Sequence, residues 1–241
     1  MSRSGTPRLS STQVPSQVPL ASPTIGSLKE TPFHAALKRL VSPPGSRFEV
    51  PVDGYVIDVV APGLLIEVQT RSVGKLKPKL GALLPCHRLR LVMPLAQTKW
   101  IEKRGPEGRA ARRRSPKREK PLHVFSELVG IADALSHPNL EIEIVMTDQL
   151  EVREHVPGKA WRRRGWVVTG RELIGVTERL LFQGPSALRG LLPTFGEPFT
   201  SRELAERAAV TPRLAGQVLY TLHRAGELQR VGKRGNAYLY R

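Results

Sequence analysis

Residues 55–71 contain two short apolar stretches separated by a tight turn, and each stretch carries one acidic residue. Apolar runs normally exclude carboxylates, because burying an unpaired charge is unfavourable. The pattern predicts two antiparallel strands that are joined at Pro62-Gly63. If these two residues form the centre of the turn, position 61 pairs with position 64, and Asp58 then lies opposite Glu67.

Two like charges that face each other repel unless a positive charge lies between them. Carboxylate oxygens together with a neighbouring backbone carbonyl make a hard-oxygen site for Mg²⁺ or Mn²⁺. Gln69 points the same way as Glu67, because side chains two positions apart on a strand share a face. Carboxylates on strands also serve as edge residues or pair with a nearby Lys or Arg, so the spacing alone leaves both interpretations open.

These residues carry a resemblance to a known superfamily. Ile57-Asp58-Val59-Val60 and Leu65-Ile66-Glu67-Val68-Gln69-Thr70-Arg71 resemble the D…(D/E)-x-K core of PD-(D/E)xK nucleases, in particular the branch of archaeal Holliday-junction resolvases and other restriction-endonuclease-like folds. The resemblance implies an α/β (α+β) fold, a mixed sheet flanked by helices, in which Asp58 and Glu67 hold the metal. One position departs from the motif, because the usual third-motif lysine is Gln69.

The same resemblance implies further site residues. A glutamate on the first helix often completes the metal site in this superfamily, and Glu30 matches it; His34, one turn on, either faces the same site or lies on the helix surface. Some members carry the catalytic lysine on the helix after the motif, where Lys75 and Lys79 lie. Glu30 as a helix cap, and solvated or phosphate-contacting lysines, are the alternatives.

The charge of the chain favours a nucleic-acid partner. The 241 residues carry a formal net charge of +17, and dense Lys and Arg most often neutralise phosphates. A basic surface without a specific partner, or attraction to anionic lipid, is the alternative. No run approaches the roughly 18 apolar residues of a membrane span, so we expect a cytoplasmic, nucleoid-associated protein with no membrane partner. The single cysteine, Cys86, is expected to be a packing residue.

Composition divides the chain into five parts. Residues 1–26 are rich in Ser, Thr and Pro and are expected to form a disordered tail. The nuclease-like core is expected at 27–96, a mobile basic loop at 97–121, a core extension at 122–194 and a second module at 195–241.

Hydrophobic periodicity predicts the elements of the core and its extension. The first helix is expected to begin either at a Ser27/Glu30 capping box or at Thr31-Pro32. The predicted helices are Leu28–Val41, Ser72–Leu84 and Val124–Leu135, with helical connectors at Leu173–Phe182 and Ser186–Leu192. The predicted strands outside the 55–71 hairpin are Arg47–Pro51, Arg88–Pro94 and Leu140–Met146.

Two basic stretches are candidate nucleic-acid contacts. The triplet Arg112-Arg113-Arg114 in the basic loop is suited to phosphates without reading sequence, with a solvated linker as the alternative. Residues 161–166, Trp-Arg-Arg-Arg-Gly-Trp, place aromatic rings beside basic side chains. The rings either stack on a base or pack under the arginine stems.

Residues 197–241 have the order helix, turn, helix and basic hairpin of a winged helix-turn-helix. A Thr200/Glu203 capping box opens the first helix, and Thr211-Pro212 opens the second. In DNA-binding members the second helix enters the major groove and the wing contacts the backbone, although some winged helices bind only protein. The resemblance therefore implies DNA contacts from Arg213, Gln217, Thr221, Arg224, Lys233 and Arg234.

Together these features predict a Mg²⁺- or Mn²⁺-dependent endonuclease that hydrolyses double-stranded or branched DNA and is positioned by the winged helix. Nucleases of this fold often act as dimers, so a homodimer is compatible with the resemblance. The alternative is a DNA-binding regulator or repair accessory protein with a degenerate core, which Gln69 favours. An RNA-processing factor lacks support, because aromatic residues make up only 5% of the chain.

Overall fold

Helix α1 (Pro32–Val41) opens the part of the chain that is described in the computed structural model, namely residues 30–70, 72–105 and 110–241, with the side chain of Arg163 excepted. The hydroxyl of Thr31 caps the helix by accepting the N–H of His34 at 3.3 Å. The start at Thr31-Pro32 is therefore confirmed. The alternative capping box is wrong, because Glu30 precedes the helix. The tail expected at 1–26 lies outside the described residues.

A seven-stranded mixed sheet forms the centre of the fold, and this confirms the α/β class. The strand order is β1-β2-β3-β4-β6-β7, and β5 pairs with β4. Strands β3, β4 and β6 are parallel, whereas the other neighbours are antiparallel. The strands are β1 (Arg47–Val52), β2 (Tyr55–Ala61), β3 (Leu64–Val68), β4 (Leu89–Arg104), β5 (Ala110–Arg114), β6 (Leu140–His155) and β7 (Trp166–Gln183).

Each face of the sheet has its own hydrophobic cluster. On one face, Phe33, Leu37 and Val41 of α1 pack on Ile66 and Val92. The other face is covered by α2 (Lys77–Leu83), α3 (Phe125–Leu128) and 3-10 helices at Val73–Leu76, Pro121–Val124 and Val129–Ala134. The two helices predicted at Ser72–Leu84 and Val124–Leu135 are thus composites of shorter segments. Cys86 follows α2 and is exposed, so its assignment as a packing residue is wrong.

Two expectations fail because strand pairing is decided by distant partners. Residues 97–104 continue β4 and residues 110–114 return as β5, so the mobile basic loop is instead a hairpin in its described part. Residues 173–182, expected as a helical connector, lie inside β7 and pair with β6. Their apolar residues fit helical spacing, but β6 supplies a ladder that periodicity within the segment does not reveal. The second connector is confirmed in part as α4 (Gly184–Arg189).

The C-terminal module has the expected order of elements: α5 (Ser201–Ala208), α6 (Pro212–Arg224), β8 (Arg230–Arg234) and β9 (Ala237–Tyr240). The capping box of Thr200 and Glu203 and the cap at Thr211 are confirmed. Helix α6 packs against α3 and residues 129–134, so the module shares one core cluster with the sheet. Among the described helices, none has the length and apolar character needed to cross a membrane.

Gly74 and Gly130 lie close together in the two 3-10 helices Val73–Leu76 and Val129–Ala134. A substitution at Gly130 therefore tests how closely these two segments pack. A Cβ on Gly130 would lie 2.8 Å from Cα and 2.9 Å from N of Gly74. We expect Gly130→Ala to lower the free energy of unfolding by about 1–3 kcal/mol, because a backbone atom cannot rotate away from the added methyl group. Urea denaturation measures this change.

Gly81→Ala is the matched control, since a Cβ there meets nothing within 4 Å. Gly81 lies inside α2, where alanine is the better helix former, and we expect a gain of about 0.4–1 kcal/mol. Equal stability of Gly130→Ala and the wild-type protein would contradict the close packing.

Candidate active site

Asp58 and Glu67 lie where the backbone ladder between β2 and β3 stops. The paired positions end at Val59 with Ile66. Beyond them, Asp58 Oδ2 accepts the N–H of Val68 at 2.8 Å, and Glu67 Oε1 accepts the N–H of Asp58 at 3.3 Å. Each carboxylate therefore bonds the backbone of the opposite strand, and the predicted meeting of the two acids is confirmed.

The pairing of β2 with β1 is also interrupted at Asp58. Phe48 pairs with Val59 and Val50 with Ile57, but Glu49 between them has a φ of 51°. A residue with a side chain rarely adopts this left-handed backbone conformation. The interruption turns the carboxylate of Glu49 toward α1, where it meets Lys38.

His34 of α1 lies between Asp58 and Glu30 on one face of the sheet. Its Nε2 lies 2.8 Å from the carbonyl oxygen of Val68 and 3.4 Å from Asp58 Oδ2. Its Nδ1 lies 2.9 Å from Glu30 Oε1. The hydrogen bond to Asp58 is the main cause that raises the pKa of His34 to about 9, so the ring is a cation at neutral pH. The site-facing orientation of His34 is therefore the correct one of the two alternatives.

Lys38 is a buried cation that the sequence interpretation did not include. Its Nζ lies 2.5 Å from Glu30 Oε1 and also contacts Glu49, and its side chain is only 5% exposed. Burial lowers the pKa of Lys38, but the hydrogen bonds to the two glutamates outweigh burial and raise it. The signal was available, because His34 and Lys38 are four residues apart on one face of α1 and Glu30 lies four residues before His34.

Lys79 of α2 reaches the acids from the other face. Its Nζ donates to the carbonyl of Val56 at 2.7 Å and forms an ion pair with Glu67 Oε1. Lys75, the other lysine proposed to replace the missing one, is exposed on the preceding 3-10 helix and forms no ion pair within the described ranges. The structure thus brings Lys79, and not Lys75, to the acids.

The pKa values of the two central carboxyls, Asp58 and Glu67, are shifted in opposite directions. Burial and then the charge of Asp58 raise the pKa of Glu67. Burial also acts on Asp58, but hydrogen bonds from His34 and the Val68 N–H prevail and lower its pKa. The repulsion that the sequence predicted is therefore present, and it falls on Glu67.

As arranged, the protein's own cations hold these acids, and no three His, Cys, Asp or Glu side chains among the described residues are grouped to hold a metal ion. However, no hydrogen bond from the described ranges reaches Asp58 Oδ1 or Glu67 Oε2. These carboxylate oxygens and the Val68 carbonyl are hard-oxygen donors of the type that suits Mg²⁺ or Mn²⁺. The donor chemistry of these oxygens therefore fits a divalent cation, whereas the protonated ring of His34 does not ligate one.

Gln69 follows β3 and faces a cavity beside the acids. Its N–H donates to the carbonyl of Val92 at 2.8 Å. The cavity has a volume of about 310 Å³ and is lined by Gln69, Thr70, Lys99, Lys117, Gln149 and Arg171 among others. Gln69, two residues after Glu67, thus opens onto this cavity, whose lining does not include Asp58 or Glu67.

The second helix of the C-terminal module offers part of the expected contact surface. Arg213 and Arg224 are exposed and Gln217 is half-buried. Thr221 is fully buried, so its assignment as a DNA contact is wrong; α6 packs against α3 and residues 129–134, which cover that side of the helix. Tyr220, which is 45% exposed, lies on the open side and was missed.

Several of the exposed basic residues already contact other side chains of the protein. Arg224 binds Asp133 Oδ1 at 2.6 Å, and Arg234 binds Glu203 Oε1 at 2.7 Å. Lys233 lies 4.9 Å from the ring centre of Tyr238. Arg112, Arg113 and Arg114 are all exposed on β5. The structure does not bring these residues into the acidic site.

Comparisons with known proteins place the chain among relatives without a described activity. A family model described as "Domain of unknown function (DUF8091)" matches residues 31–183. This range runs from the cap of α1 to the end of β7. A protein of Treponema pallidum (strain Nichols), described as "Uncharacterized protein", is 33% identical over 223 residues, which cover 90% of this chain and 87% of the relative. No solved structure matches the chain.

The raised pKa of His34 predicts a pH-dependent stability in the absence of divalent ions. The folded protein binds the ring proton more tightly than the unfolded chain, whose ordinary value is 6.5. The resulting stabilisation is complete below pH 6.5 and is lost as the pH rises through about 9. The lowered pKa of Asp58 acts only at acid pH. In EDTA, we expect the free energy of unfolding to fall from pH 6 to pH 9.5.

His34→Gln is the control, because glutamine keeps a polar side chain without the titrating proton. Urea denaturation should show a smaller fall for this variant over the same pH range. Identical pH profiles for both proteins would contradict the coupling of His34 to Asp58.

Proposed function

We propose that this chain, which belongs to the family described as a domain of unknown function (DUF8091), is a metal-dependent DNA endonuclease. The observation that carries the proposal is the convergence of Asp58, Glu67 and Lys79 at one interrupted point of the sheet. Two acids on adjacent strands and one lysine are the chemical groups of a PD-(D/E)xK centre. We interpret the sheet, with its strand order and flanking helices, as a restriction-endonuclease-like core.

Mg²⁺ or Mn²⁺ would be held by the carboxylates of Asp58 and Glu67, with the Val68 carbonyl beside them. Such an ion, when bound, polarises the scissile phosphate and lowers the pKa of a bound water. Glu30 and Lys38 are positioning residues in this proposal. They hold His34 and α1 against the strand that carries Asp58.

Lys79 supplies the charge that the motif lacks at Gln69. Hydrolysis forms a bond from a water oxygen to phosphorus and breaks the bond to the leaving sugar oxygen, so negative charge builds up on the phosphate. A preorganised ammonium near that charge stabilises the transition state. The amide of Gln69 carries no charge, and its role here is to orient a water by hydrogen bonding.

The C-terminal module is proposed to place the site on double-stranded or branched DNA. We interpret α5, α6 and the β8–β9 hairpin as a winged helix, with Arg213, Gln217, Tyr220 and Arg224 on the side of α6 that is open to a groove. Lys233 and Arg234 lie on the hairpin that would contact the backbone. A nucleoid location and a homodimer belong to the same proposal.

Asp58→Asn is expected to abolish cleavage. Asparagine keeps the shape of the side chain but removes the charge that holds the cation, and we expect a loss of about 10³-fold or more in rate. The assay uses labelled branched, nicked, single-stranded and double-stranded DNA with Mg²⁺ or Mn²⁺. DNA affinity, measured by anisotropy in EDTA, should stay within about twofold because α6 is unchanged.

Glu178→Gln, an exposed acid on β7, is the matched control and should cleave at the wild-type rate. The proposal would be contradicted if the wild-type protein cut none of these substrates with either ion.

Lys79→Ala and Lys77→Ala form a second matched pair, because the two lysines are neighbours in α2 but only Lys79 contacts Glu67. We expect Lys79→Ala to lower the cleavage rate about 10²-fold, as loss of one charge-stabilising donor does. Lys77→Ala should change neither cleavage nor DNA affinity. Equal rates for the two variants would remove Lys79 from the site.

A second candidate function is a DNA-binding regulator or repair accessory protein with an inactive core. It is favoured by the ion pairs of His34, Lys38 and Lys79, which already compensate four acids, namely Glu30, Glu49, Asp58 and Glu67. Under this alternative, Asp58→Asn changes stability but no DNA is cut, and affinity for DNA depends on α6 alone.

A further inference from the structure

The sheet extends far beyond the strand that carries Glu67. Pairing of β3 with β4 ends at Val68 and Val92, whereas β4 continues beside β6 as far as Arg104. We call residues 97–104, 110–114 and 148–172 the strand arm; it contains the outer parts of β4, β6 and β7 and all of β5. At a rise of about 3.3 Å per residue, the arm extends about 25 Å past Ala96.

The strand arm grows from the same end of the sheet as the candidate site. Strands β3 and β4 are parallel, so the chain direction that brings β3 to Glu67 and Gln69 also carries β4 into the arm. The cavity lined by Gln69 and Thr70 lies between them, and Lys99 and Lys117 close its arm side. The edge of β4 resumes pairing with the N–H of Ser115, which donates to Lys99 O at 2.7 Å. The cavity thus lies between the residues that follow β3 and the start of the arm.

The charge of the strand arm matches a polyphosphate. Its three ranges contain twelve Lys or Arg and five Asp or Glu. Two of the acids are held within the arm: Glu102 by Arg104, and Glu151 by Lys99 and Arg153. The exposed side chains of β5 include three consecutive arginines. Dense cations on an elongated surface favour a polyanion through counterion release.

All three tryptophans of the chain lie on this arm. Trp100 and Trp166 are half-buried, with Arg112 at 5.0 Å and Lys103 at 4.5 Å from their ring centres. For these two rings, packing against cationic side chains explains the position. Trp161 also has a cation beside it, with Arg162 at 5.0 Å from its ring centre, but its side chain is 80% exposed at the turn between β6 and β7.

The turn that presents Trp161 is built at a conformational cost. Ala160 and Arg164 on either side of its 3-10 helix both have φ of 50°, a strained region for residues with side chains. Backbone bonds from Val156 N–H to Gly165 O at 2.8 Å and from Arg164 N–H to Trp161 O at 3.0 Å close the turn. Arg162 lies beside the ring, but a large aromatic side chain that is 80% exposed keeps surface on which a further ring can stack.

We propose that the strand arm binds single-stranded DNA, with Trp161 stacked on a base and the arginines and lysines on the phosphates. Duplex bases already stack on each other, so an exposed tryptophan gains a partner only where bases are unpaired. The inference deepens the proposed function and rests on it for the role of DNA. It makes DNA with an unpaired strand next to a duplex the preferred substrate class.

The test compares two probes on the full-length protein in EDTA: a labelled mixed-sequence 20-nucleotide single strand and the blunt duplex of the same sequence. We expect Trp161→Ala to weaken single-strand binding about 5- to 100-fold and to leave duplex binding within about twofold. Trp161→Phe should restore most of the affinity, because phenylalanine keeps a ring for stacking. Arg213→Ala on α6 is the opposite control and should weaken only duplex binding.

Single-strand affinity that is unchanged in Trp161→Ala, or an equal loss for both probes, would overturn the inference. So would a tighter complex with single-stranded RNA of the same sequence, which would assign the arm to RNA. The outcome is separable from the proposed function. Trp161-dependent binding without any cleavage leaves the arm's role standing and removes the nuclease, whereas cleavage with Trp161-independent binding does the reverse.

Discussion

The structure depends on the neutralisation of acids that interrupt a buried sheet. Asp58 and Glu67 each replace a ladder bond by accepting an N–H from the opposite strand. Such charges are tolerated inside a fold only when partners compensate them. His34 reaches Asp58 from α1 and Lys79 reaches Glu67 from α2, so one pair of carboxylates links the two layers that cover opposite faces of the sheet.

Strands β3, β4 and β6 run parallel, so the strands beside β3 continue in the same direction beyond the pair of acids. Strand β3 ends at Val68, but β4 and β6 continue past the acids into the strand arm. The C-terminal module is continuous with the same core, because α6 packs against α3 and residues 129–134. The candidate chemical site, the arm and the module are therefore held in a fixed relation by packing and not by linkers.

Local patterns predicted much of the site. The turn at Pro62-Gly63 set the register of β2 and β3, and a two-residue period is enough to place Asp58 opposite Glu67. The caps at Thr31, Thr200 and Thr211 are likewise local chemistry. The failures share one cause. Residues 97–104 and 173–182 become strands because β6, distant in sequence, pairs with them. Thr221 is buried because α6 packs against the rest of the core.

The order of amino acids alone was sufficient for the hairpin of two acids, the α/β class and the basic character of the chain, because turn geometry, hydrophobic period and net charge are local or additive properties. Which cation faces which acid was settled by folding. His34, Lys38 and Lys79 lie on helices on opposite faces, and only packing on the sheet brings their charges within bonding distance. The exposed position of Trp161 was also settled by folding, because the long strands β6 and β7 carry its turn away from the core.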